Sequence, residues 1–67
     1  MTDDAVKAAV SRFLKNINFT AQRELEKAVR NALVSKKVHG GETLTTAVTL
    51  ANETLELNIT IFSKIEL

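Results

Sequence analysis

The chain has no cysteine, no proline, no tryptophan and no tyrosine, one histidine, and only two glycines among its 67 residues. Each absence closes something off. Without cysteine there are no disulfides and no thiolate zinc sites. With His39 as the only imidazole, a multi-histidine metal site within one chain is excluded as well. Three phenylalanines are the whole aromatic complement, which leaves little for stacking on bases. No run approaches the ~18–20 apolar residues of a membrane span. The acidic start Met1-Thr2-Asp3-Asp4 lacks the basic region and apolar core of a secretory signal, so the expected compartment is the cytoplasm. Three Asn-x-Thr triplets, at Asn18, Asn52 and Asn58, read as the ordinary coincidence of Asn and Thr in turns and strands rather than as glycosylation acceptors.

What is present reads as one small domain over residues 1–67. Hydrophobic residues make up 45% and charged residues 25%, a globular rather than a disordered balance. A chain this short buries only about 60% of its unfolded surface and usually needs a staple: disulfide, metal or a second subunit. The formal net charge of +1 conceals an asymmetry. Between Ala5 and His39 there are eight cations against Glu24 and Glu26; from Gly40 onward there is Lys64 against four glutamates.

Hydrophobic periodicity divides the chain in the same place. Val6, Ala9, Val10, Phe13 and Leu14 follow helical spacing, which predicts a first amphipathic helix over about 3–16. Asn16-Ile17-Asn18 suits a break, and Thr20 an N-cap. Leu25, Ala28, Val29, Ala32 and Leu33 then predict a second helix over about 21–37, with Glu26 and Arg30 as an i,i+4 pair and Gly40-Gly41 as its stop. Beyond the glycines the period becomes 2. Leu44, Thr46, Val48 and Leu50 mark one strand (about 43–51), and Leu55, Leu57, Ile59 and Ile61 a second (about 54–62). Residues 64–67 form a third strand if Phe62-Ser63-Lys64 turns. The expected fold is α+β: two amphipathic helices followed by a two- or three-stranded antiparallel sheet, ααββ or ααβββ.

The segments Phe13-Leu14-Lys15, Thr20 to Leu33, Gly41 to Leu44 and Leu55 to Asn58 together resemble a family of short, uncharacterised bacterial proteins, over most of the chain. The resemblance implies two helices followed by a β-meander, with an Asp-Gly-like turn in relatives where this chain has Phe62-Ser63. It implies no activity and transfers no functional residue.

The residues themselves argue for a non-enzymatic protein. A lone His39 beside two glycines reads as a surface residue, and no nucleophile has a base and an orienting group to work with. The carboxylates read as solvated, because Asp and Glu are seldom fully buried. Gly40-Gly41 follows a helix and precedes a strand, the reverse of a phosphate loop. No catalytic, cofactor-binding or metal-binding residue is expected. The one constellation that suggests contact is on the second helix. With Leu25 at zero, Arg23, Lys27 and Arg30 fall at about 160, 200 and 140°, and Val34 at about 180°, opposite the apolar face. This is the candidate partner-binding face.

Two readings follow. The leading one is an interaction module that forms a homodimer and meets an unknown protein partner, with no membrane. A hairpin about 30 Å long would overhang helices of about 21 Å and leave open strand edges. The alternative is a nucleic-acid-binding accessory protein, in which the two helices imitate a helix-turn-helix. The sequence pI of about 8.1 and the flanking Glu24 and Glu26 weigh against it.

Overall fold

The computed structural model describes residues 1–67. The element order is α1 (Asp3–Val34), β1 (Thr43–Asn52) and β2 (Leu57–Glu66). The chain divides into two compact units, Met1–Lys37 and Val38–Leu67. The class is α+β, with one helix followed by a two-stranded antiparallel sheet.

The first unit corrects the expectation of two helices, 3–16 and 21–37. Residues 16–18 are helical, and α1 runs through them without interruption for 32 residues. Asn is a weaker helix former than Ala by only about 0.6 kcal/mol, far short of the penalty that proline imposes. No glycine or proline occurs before Gly40. Phe13, Ile17, Ala21 and Leu25 also stand four residues apart, so the apolar stripe keeps its phase across the supposed break. The helix starts at Thr2, whose Oγ1 accepts the Ala5 N–H at 3.1 Å, with Asp3 and Asp4 in the first turn.

The helix also ends sooner than its glycines suggest. Ser35 is the C-cap, and Lys36 takes a left-handed conformation at φ 62°. The Lys37 N–H bonds the Ala32 carbonyl at 2.9 Å and the Lys36 N–H bonds that of Leu33 at 3.2 Å. These two bonds form a Schellman motif, with lysine in the position that glycine usually holds. Gly40-Gly41 therefore does not stop the helix.

The second unit is a hairpin. All ten residues of β1 pair with β2, from Thr43 with Glu66 to Asn52 with Leu57. The turn occupies 53–56, so the second strand starts at Leu57 rather than near 54, and Leu55 lies in the turn. The Asn52 Oδ1 accepts the Leu55 N–H at 3.0 Å, the Glu53 carbonyl accepts the Glu56 N–H at 3.0 Å, and Glu56 is left-handed at φ 53°. No third strand forms. Phe62, Ser63 and Lys64 continue β2 opposite Ala47, Thr46 and Thr45. None of the three belongs to the residue types that favour a positive φ, so a tight reversal there has no local support. Leu67 extends the ladder: its N–H bonds the Glu42 carbonyl at 2.9 Å and its carbonyl accepts the Gly41 N–H at 2.8 Å. Gly41 has φ 89°, a conformation suited to glycine.

Candidate interaction surfaces

Neither unit buries a side chain, apolar or polar, within itself. Each unit instead presents an apolar surface. With Leu25 at zero, nine helix residues (Val6, Val10, Phe13, Leu14, Ile17, Ala21, Leu25, Ala28 and Ala32) fall within a sector from about −120 to 0°. Ile17 is 38% exposed, Leu25 42% and Phe13 53%. The polar residues interrupting this sector are Lys7, Glu24 and Asn31. From Val6 to Ala32 the stripe is about 39 Å long at 1.5 Å per residue.

The hairpin register fixes its apolar face, because directly paired residues share one side of an antiparallel sheet. Leu44 with Ile65, Val48 with Ile61 and Leu50 with Ile59 lie on one face, joined by Leu57 opposite Asn52. Thr46 and Ser63 are the polar pair among them. The other face carries Thr43–Glu66, Thr45–Lys64, Thr49–Thr60 and Ala51–Asn58, with Phe62 opposite Ala47. The Thr49 and Thr60 hydroxyls lie 3.2 Å apart and share a hydrogen bond. The alternation of Leu44, Thr46, Val48 and Leu50 is thus the alternation of the sheet, and Leu57, Ile59 and Ile61 join it.

The basic face is where the helical wheel places it, on a helix longer than expected. Arg23, Lys27, Arg30 and Val34 share one sector, and Val34 is 84% exposed. Arg23, Glu26, Lys27, Arg30 and Asn31 border an open depression there. Continuity of α1 adds Arg12, which falls at about 140° in the same sector. Two contacts already engage this face. Arg30 pairs with Glu26 at 3.8 Å, the expected i,i+4 pair, while Glu26 also accepts from the Gln22 amide at 3.2 Å. The Arg23 guanidinium lies over the Phe19 ring, 5.6 Å from its centroid. A break at 16–18 would leave Phe19 outside both expected helices. A continuous helix puts it one turn before Arg23.

His39 lies between the helix and β1, where its backbone N–H bonds the Glu42 carboxylate at 3.1 Å. No group of three or more His, Asp or Glu side chains is placed to hold a metal ion. No helix is long and apolar enough to cross a membrane.

A family model described as a family of unknown function, DUF6494, matches residues 1–67. No curated protein and no solved structure matches the chain.

Proposed function

The chain belongs to the family of unknown function DUF6494, and we propose that it is a non-enzymatic, cytoplasmic interaction module that self-associates as a homodimer. The observation that carries this reading is that neither unit buries a side chain within itself, in a chain that is 45% hydrophobic. A helix owes most of its stability in proteins to packing of its apolar face, and an isolated two-stranded hairpin is marginal in water. Both units therefore need cover.

One chain is too short to supply all of it. The apolar face of the hairpin runs from Leu44 to the level of Asn52 and Leu57, about 27 Å at 3.4 Å per residue. The helix stripe is about 39 Å long. However the hairpin is oriented, part of the stripe remains for another molecule. This reverses the sequence-based expectation, in which the hairpin was the longer element. One helix of 32 residues, about 48 Å, replaces two of about 21 and 25 Å. The need for a second chain survives the reversal. The hairpin adds to it, because a two-stranded sheet has an unpaired edge on each side and β1 carries neither proline nor lysine.

The nucleic-acid alternative loses its motif, since α1 contains no turn between two helices. It retains the basic sector, where Glu26 already pairs with Arg30. Titration of random duplex DNA and RNA at low salt separates the two readings, because phosphate contacts are strongest there. The proposal expects no binding. Sedimentation equilibrium at micromolar concentration tests self-association itself. Twice the chain mass is expected, and a clean 7.4 kDa species contradicts it.

A further inference from the structure

We propose that the occupant of the helix stripe is the α1 helix of a second copy, running antiparallel, with the two-fold axis level with Phe19. This rests on the self-association reading and adds which surface pairs, and in which direction. Three observations support it.

The first is length. The stripe extends from Val6 to Ala32, and the hairpin face is too short to match it, whereas a second α1 has the same extent.

The second is the distribution of side-chain size. Val6, Val10, Phe13, Leu14 and Ile17 make the N-terminal part of the stripe bulky. Ala21, Ala28 and Ala32 make the centre of its C-terminal part slim, with Leu25 as the exception and Val29 and Leu33 beside it at about 40 and 80°. A parallel pair would set bulk against bulk at one end and alanine against alanine at the other. The separation of packed helices follows the side chains at the contact, so such a pair would be wedged apart at one end and gapped at the other. Reversing one helix eases the mismatch. Val6 then lies level with Ala32, Val10 with Ala28 and Ile17 with Ala21, bulk beside alanine, while Phe13 is level with Leu25 and Leu14 with Glu24, each pair formed between copies.

The third is charge. Asp3 and Asp4 lie in the first helical turn, and Lys36 and Lys37 follow the C-cap Ser35 at the other end. Parallel pairing would gather four carboxylates at one end and four ammonium groups at the other. Antiparallel pairing sets the aspartates of each copy near the lysines of the other, and it opposes the two helix macrodipoles.

The absence of cysteine makes the test clean, because any introduced thiol reports alone. Full-length Val10→Cys and Ala28→Cys chains are prepared separately, checked by sedimentation equilibrium under reducing conditions, and oxidised with oxidised glutathione singly and as a mixture. In the antiparallel pair Val10 of one copy faces Ala28 of the other, while like residues stand about 27 Å apart along the axis. Disulfides require Cα atoms within about 7 Å. The expected result is a cross-linked dimer from the mixture and little from either variant alone. Efficient cross-linking of Val10→Cys with itself means a parallel pair and overturns the proposal. A dimer by sedimentation that never cross-links means that the hairpin, or another part of the chain, forms the interface, and it overturns the proposal while leaving self-association intact. A native chain that sediments as a monomer removes the self-association reading first and this inference with it. In that case the stripe is covered within the chain or by a different protein.

Discussion

The two units solve the same problem with opposite resources. Met1–Lys37 holds eight cations against four carboxylates, a net +4; Val38–Leu67 holds Lys64 against four glutamates, a net −3. Backbone hydrogen bonds in the helix are local and its ends are capped by Thr2 and by the Schellman motif at Ser35 to Lys37. Those of the hairpin span up to the distance between Gly41 and Leu67, and each strand has an unpaired edge. Neither buries a side chain. A satisfied backbone is therefore not the same as a completed fold. Taken by itself, the helix leaves its stripe open, while the hairpin leaves open its apolar face and both edges.

The contrast can be broken most severely on the helix side. Replacing Ile17 by lysine, at the middle of the stripe, is expected to weaken self-association at least ~100-fold, about 2.7 kcal/mol by the affinity scale, because a charge would be placed in an apolar contact. Asn16→Lys, one residue away on the far side of the helix, should leave the sedimentation profile unchanged. Retention of the dimer by Ile17→Lys would exclude the stripe as a contact.

On the hairpin side, Gly41→Ala is expected to cost about 1–2 kcal/mol in denaturant unfolding, since alanine disfavours a positive φ. A Cβ there meets no atom within 4 Å, so the loss would report backbone conformation rather than a clash. The converse substitution is smaller and of opposite sign. Lys36→Gly places glycine at the left-handed residue ending α1 and should stabilise by about 0.5–1 kcal/mol. The smallest effect concerns the basic face. The Arg30–Glu26 pair has side chains 73% and 45% exposed. Arg30→Ala should change unfolding by no more than about 0.5 kcal/mol, because exposed ion pairs are screened by water and salt.

These sizes bear on what the sequence could reveal. The change of period at Gly40-Gly41 was legible, as was the alternation that puts Leu44, Val48 and Leu50 on one sheet face. So were the helical sector of Arg23, Lys27 and Arg30 and the Glu26–Arg30 pair. The helix break does not form because asparagine is a weak helix former and not a breaker. The four-residue spacing of Phe13, Ile17, Ala21 and Leu25 was the stronger signal, and it required continuity. The helix end was hidden for a related reason. Lys36 adopts a conformation that its residue type does not announce, while Gly40-Gly41 announces a stop that the chain has already made. Of the two strand counts the periodicity leaves open, the two-stranded one forms: Phe62-Ser63-Lys64 holds no turn-forming pair, and the cross-strand partners that keep β2 straight lie far away in sequence. The candidate basic face was found, but Phe19 and Arg12 were not joined to it. Their placement depends on the helix being one piece.

The central claim is that a second copy completes this fold. Thermal unfolding followed by circular dichroism over a hundredfold range of protein concentration tests it most directly. A fold completed by association should melt at higher temperature as concentration rises, because mass action favours the associated native state. A single transition whose midpoint stays constant across that range would show that one chain folds by itself, and would contradict the account.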